Sequence, residues 1–150
     1  MRLRRHLLPC VALVACLAGC GAVDGGVQVE GPPVTPKPWS GPVYMTDWFG
    51  RSWLHPKEVA PTGRIYLDRL TWRDWGSARP RATGVASDTT CLSGCPNGDP
   101  PSYRVKVVLS GLVKRGDVAY YSHVRLIPLH PPAPFWAYGQ DSADLEVPDA

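Results

Sequence analysis

Phenylalanine and methionine are scarce in this chain, at two residues each in 150, and charged residues make up only 19 %. Long apolar runs are missing too. The longest, over residues 7–18, is about a dozen residues, well short of the roughly 20 a membrane-spanning helix needs. No segment combines helical periodicity with capping residues, and no internal repeat is present.

The usual catalytic spacings are also missing. No serine sits in G-x-S-x-G, and Ser93, Ser110 and Ser122 lack the flanking glycines that expose a nucleophile. H-E-x-x-H, an acid-rich calcium loop and a phosphate-cradling glycine loop are all missing. His55, His123 and His130 lie far apart in sequence, and His123 sits on the polar face of a strand beside Tyr121 and Arg125. Asp68 and Asp74 are the one carboxylate pair that could serve glycan hydrolysis, although Asp74 next to Gly76 reads more simply as a turn residue. No catalytic residue, metal site or cofactor is expected.

What is present begins at the N-terminus. Arg2, Arg4 and Arg5 precede the apolar run, which ends in Ala18 and Gly19. That is the order of a secretory signal, and Pro9 would disturb a stable spanning helix. Leu17-Ala18-Gly19-Cys20 resembles the lipobox of bacterial lipoproteins. The resemblance implies cleavage before Cys20 and a diacylglyceryl group on its sulfur, and two or more chains make attachment stable. The alternative is an ordinary signal cut after Ala22. Cysteine arithmetic favours the lipoprotein: Cys10 and Cys16 leave with the signal, Cys20 is lipidated, and Cys91 and Cys95 remain as an even pair. Arg4-Arg5 ahead of Leu7 and Leu8 also resembles a loose twin-arginine export signal.

Removing the signal changes the charge. Sixteen basic residues less the three arginines leaves thirteen, against thirteen acidic residues, all after Cys20. The mature chain is formally neutral, which gives no support to a nucleic-acid partner.

Four parts follow. Residues 1–19 are the signal. Residues 20–42, rich in Gly and Pro, read as a lipidated tether. Residues 43–128 form one small domain, and residues 129–150 a proline-rich, then acidic, loose tail. The domain reads as all-β. Residues 103–109 alternate, with Tyr103, Val105, Val107 and Leu109 on one face. Residues 118–127 place Val118, Tyr120, Val124 and Leu126 on one face and Tyr121, His123 and Arg125 on the other. Gly111 and the Lys114-Arg115-Gly116-Asp117 turn between them predict a hairpin with a loop longer than two residues. Residues 64–72 make a third strand with a register break near Asp68-Arg69, and weaker strands cover 43–49 and 81–87. A small antiparallel sandwich or barrel of five to seven strands is expected. Cys91 and Cys95 should form a disulfide stapling a turn-rich loop, because two cysteines supply only half a structural zinc site.

Leu70-Thr-Trp72-Arg-Asp-Trp75-Gly76, Ala82-Thr-Gly84, the cysteine pair and the strand from Val105 to Leu109 resemble a group of exported proteins and lipoproteins of actinobacteria. The likeness covers roughly 60 residues, 64–127. Many members of that group carry a further cysteine about where Arg115 lies, so this chain departs from the pattern and the resemblance does not by itself give a disulfide pairing here. The resemblance implies export, and no chemistry.

The tryptophans are the remaining handle. Trp72 and Trp75 are three apart, so a straight strand would send them to opposite faces unless a bulge brings them together. Core packing is the default for either. Trp39 and Trp136 lie outside the patterned region and either dock back or anchor a partner. Together these observations favour a non-catalytic module, lipid-anchored on the extracytoplasmic face of the cell membrane, that binds a wall polymer or another exported protein. A small envelope enzyme acting on wall polymer or lipid, at a site where Asp68, Asp74 or a histidine converges, is the alternative.

Overall fold

The computed structural model describes residues 39–91 and 94–149. The signal, Cys20 and most of the tether lie outside them.

Eight strands form one sheet: β1 Val43–Thr46, β2 Ser52–Trp53, β3 Val59–Thr62, β4 Ile65–Arg73, β5 Arg81–Asp88, β6 Ser102–Arg115, β7 Val118–Pro128 and β8 Ser142–Asp144. Their order is β2-β1-β7-β6-β5-β4-β3, with β8 also on β7. The sheet curls into a half-barrel. All neighbours are antiparallel except β1 and β7, which run parallel through Val43/Ala119 and Tyr44/Tyr120. The all-β expectation stands, with that one parallel pair in place of a purely antiparallel sheet. The inner face carries the core, including Met45, Leu67, Val105, Val107, Leu109 and Tyr121.

Two irregularities set which side chains face inward. In β4 the register with β5 shifts between Asp68 and Thr71. Arg69 takes φ 53° there, so Leu67 and Leu70, three apart, both point into the core. This is the break expected near Asp68-Arg69. Gly84 lies opposite, where a Cβ would sit 2.6 Å from the Asp68 carbonyl oxygen.

The second irregularity corrects the sequence reading. β6 does not stop before Gly111 but runs through it to Arg115, and Gly116-Asp117 alone makes a two-residue turn to Val118. Gly116 supplies φ 55°, as a type II′ hairpin requires at its first central position. Gly111 (φ 69°) kinks β6 within the ladder, and the Ser122 hydroxyl donates to its carbonyl at 2.9 Å. Both strands change phase at this point and the pairing register is unchanged on either side. The inward series of β7 is therefore Ala119, Tyr121, Val124 and Leu126. Tyr121 is fully buried rather than on the polar face, and Val118 and Tyr120 are not in the core.

The C-terminal residues are also not a loose tail. A 3-10 turn, Phe135–Ala137, buries Ala137, and β8 extends the sheet. Leu145 enters the core, the Thr46 hydroxyl donates to the Glu146 carbonyl, and Arg115 Nε donates to the Pro148 carbonyl at 3.1 Å. Prolines at 131, 132 and 134 steer the chain back across the sheet end without forming a strand of their own.

Candidate functional site

The Trp-x-x-Trp-Gly segment spans the end of β4 and the turn that follows it. Arg73 ends β4, Asp74 takes φ 57° and Gly76 φ 87°, and this tight turn swings Trp75 back beside Trp72. The rings meet edge-on with centroids 4.8 Å apart, and Trp75 meets Tyr121 in the same manner at 5.5 Å. Trp72 Nε1 donates to the Pro56 carbonyl at 2.8 Å and Trp75 Nε1 to that of Val43 at 2.9 Å. The Tyr121 hydroxyl accepts from Gly76 N and donates to the Ser77 carbonyl, both at 2.9 Å. Burial pushes that phenol's pKa up, against a smaller opposing effect of the Gly76 bond. The motif is thus a polar-tipped aromatic cluster tying the β4–β5 turn to β1 and β7.

The other two tryptophans singled out from sequence also dock back. Trp39 packs against the core with the Lys114 ammonium 5.3 Å from its ring, and Trp136 meets Tyr103 edge-on at 5.5 Å. Cys91 and Cys95 have Cα atoms 4.7 Å apart and their sulfur atoms at disulfide distance. Asp68 points outward on β4, where Arg69 Nε reaches it at 3.3 Å, and Asp74 is exposed in the turn. Six residues apart along an extended chain, they are separated by roughly 15 to 20 Å, too far to flank one glycosidic bond. His123 Nδ1 lies 2.7 Å from Asp144 Oδ1, joining β7 to β8. Both side chains are open to solvent, and among the described residues no hydroxyl hydrogen-bonds to the ring. Those residues also hold no group of three or more His, Cys, Asp or Glu placed to share a metal ion.

The most developed site lies elsewhere, at the loop joining β1 to β2. Trp48 and Phe49 stand out from the surface, 62 % and 72 % exposed, in a three-residue hairpin loop. Gly50 N donates to the Asp47 carbonyl at 2.9 Å, Asp47 N donates to that of Arg51 at 3.0 Å, and Gly50 takes φ 76°. This is a type I turn closed by a G1 bulge.

Asp47 holds the loop together from within. Its side chain is buried, and its two oxygens accept four hydrogen bonds. Oδ1 takes Phe49 N and Arg51 N, both at 2.9 Å, while Oδ2 takes Arg51 Nε at 2.8 Å and Trp53 Nε1 at 3.0 Å. Burial alone would raise the Asp47 pKa, but the bonds from Trp53, Arg51 and Phe49 together outweigh it and hold the carboxyl below its ordinary value. The group is a fixed anion and has no proton to give near neutral pH.

Around this loop runs a groove of about 570 Å³, lined by Trp48, Phe49, Trp53, Glu58, Tyr66 and Thr89 among others. Trp48 lies over Gly63, where a Cβ would sit 3.1 Å from the indole, and its backbone N–H donates to the Ala60 carbonyl at 2.8 Å. The Tyr66 hydroxyl donates to Glu58 Oε2 at 2.6 Å. That bond, followed by burial and the charges of Glu58 and Asp68, pushes the phenol up to about 12, so it stays a neutral donor. Arg51 stacks its guanidinium 5.2 Å from the Phe49 ring centre and 5.4 Å from that of Trp53. The result is an aromatic platform with carboxylate and guanidinium groups at its rim. The sequence reading passed it over by extending β1 through Phe49, although Asp47 with Gly50 three residues later is a turn signal. Comparison of the chain with protein-family models, with curated proteins and with solved structures returned no match.

Proposed function

We propose that this protein is an exported lipoprotein, anchored to the membrane through Cys20, whose β domain is a non-catalytic binding module for a cell-envelope component. The ligand class that fits the groove is a glycan-bearing wall polymer. One observation carries this reading: Trp48 and Phe49 are exposed yet held in a single arrangement by a buried carboxylate with four hydrogen bonds. Exposed aromatics tend to mark an interface, and an ordered loop loses little entropy when a ligand arrives. Flat rings take up the apolar faces of sugars, while Glu58, Tyr66 and Arg51 stand ready for hydroxyl groups.

The test is co-sedimentation of the protein with purified wall material. Trp48→Ala and Phe49→Ala should each weaken retention about tenfold, the usual scale of an aromatic hot spot, with unchanged circular dichroism. Wild-type-like retention by both variants would overturn the reading. The anchor is tested separately: Cys20→Ala should release the protein from membranes or leave an unprocessed precursor. Unchanged mass and unchanged membrane partition would refute lipidation.

A further inference from the structure

The outer face of the sheet is far more basic than the formal charge of the mature chain suggests. Strand alternation sends Arg73 of β4, Arg81 of β5, Arg104 and Lys106 of β6, and Arg125 of β7 to this side, and the β4 bulge adds Arg69. Residues 39–149 contain twelve lysines and arginines and eleven carboxylates. This face takes six of those cations and two carboxylates, Asp68 and Asp144, the latter opposite His123 and so on the same side as Arg125, leaving six cations and nine carboxylates for everything else. Arg73 and Arg81 are direct register partners, an arrangement of like charges that destabilises a sheet. Among the described residues, only Arg69 of the six has a carboxylate within 4.0 Å.

Five of the six cations, all but Arg125, border a groove. One cleft of about 560 Å³ is lined by Arg69, Thr71, Thr83, Ser102 and Arg104, among others. A second, of about 240 Å³, shares Thr71 and Thr83 and continues past Arg73, Arg81 and Lys106. Together they run across β4, β5 and β6 with threonine hydroxyls at their junction.

We propose that this groove binds a linear phosphate-bearing polymer. Two features favour a polymer chain over a flat lipid surface: the cations line a concave path rather than a plane, and hydroxyl donors lie between them. Arginine forks suit phosphate oxygens bidentately, and the hydroxyls can donate to the same groups. A bound polyanion would also relieve the Arg73/Arg81 repulsion. The site lies apart from the Trp48 platform and shares none of its residues.

The test uses the full chain carrying Cys20→Ser, so that no acyl chain brings it to lipid, and fluorescently labelled poly(glycerol phosphate) followed by anisotropy. Each cation engaged by a flexible polyanion steepens the salt dependence by about 0.7 in log–log slope. If the five cations that line the groove engage, tripling the salt should weaken binding about fiftyfold. Arg81→Ser combined with Lys106→Ser should weaken it about tenfold or more and flatten the slope by about 1.4. Lys57→Ser with Arg64→Ser, neither of which lines the two clefts, should change neither. Arg104→Gln provides a second variant at the far end of the groove should the double variant fail to fold. Trp48→Ala should leave polymer binding intact, which separates failure of this site from failure of the aromatic platform. Binding unchanged by the groove variants would overturn the proposal. So would tighter binding to vesicles of equal parts phosphatidylglycerol and phosphatidylcholine, or to poly(dT), since either would assign the face to a different partner.

Discussion

Replacing Asp47 by asparagine tests whether the exposed aromatic loop is built from the inside. The carboxylate offers two oxygens, each accepting two N–H groups. Asparagine keeps the size but has one oxygen and one NH2. In either amide orientation two donors face an NH2: the two backbone N–H groups, or Arg51 Nε and Trp53 Nε1. Hydrogen bonds to a charged group are each worth about 1.5 to 3 kcal/mol. Losing two of them should cost roughly 3 to 6 kcal/mol, a large share of a small domain's stability. Urea unfolding followed by tryptophan fluorescence measures this directly, and Trp53 should report local loosening first. The pH dependence carries a sign. Because the folded pKa of Asp47 is depressed, its stabilisation is fully present above the ordinary carboxylate value of about 3.8. It is lost as the pH falls through the lower folded value. The gap between wild type and Asp47→Asn should therefore be widest near neutral pH and close under strong acid. A difference below about 0.5 kcal/mol at pH 7, or one that grows on acidification, would refute the reasoning.

Two further substitutions probe the frame around the loop. Tyr121→Phe removes the hydroxyl that Gly76 N–H and the Ser77 carbonyl share, leaving both without it, and should cost about 2 to 4 kcal/mol in urea unfolding. Gly111→Ala places a Cβ against the Ser122 hydroxyl and 2.7 Å from the His123 ring, at a φ that alanine disfavours. It should cost about 2 kcal/mol or more, and adding Ser122→Ala should recover part of that loss, whereas simple additivity would argue against the contact.

How far the fold could be read from sequence depended on whether a residue's signal was local. The alternation of Val105, Val107 and Leu109 needs no partner to be seen, and all three are fully buried. The break at Asp68-Arg69 was equally visible, because Leu67 and Leu70 violate period two on their own. Gly111 misled. A glycine between two strands reads as a turn, yet here it kinks one long strand, and its meaning lies in Ser122 across the ladder. Tyr121 was placed on the polar face for the same reason: its parity counts correctly only from the N-terminal side of a kink shared by two strands. The C-terminal segment lacked a pattern because β8 is three residues long and finds its order through β7 and the core position of Leu145. Of the candidate site, only the aromatic residue types were visible. That Trp72 and Trp75 are structural while Trp48 is presented follows from which indole N–H groups find backbone carbonyls.

Formal neutrality hid the basic face for a geometric reason. A strand with one buried side has only every other position free for charge, and in this domain the charges placed there are chiefly cations: Arg73, Arg81, Arg104, Lys106 and Arg125 all sit one residue from a side chain in the core or packed against it. The carboxylates fall instead at strand ends and turns, as with Asp47, Asp74, Asp99, Asp117 and Asp141. At such places Asp47 and Asp88 accept backbone N–H groups through their carboxylates, a task for which lysine and arginine have no acceptor to offer. The division of labour that shapes the fold therefore also separates the charge, leaving a basic sheet face bordered by acidic turns in a neutral chain. Net charge cannot report such a separation. Parity along the strands can, and counting cations at outward strand positions alone is the sequence-level sign of a polyanion groove.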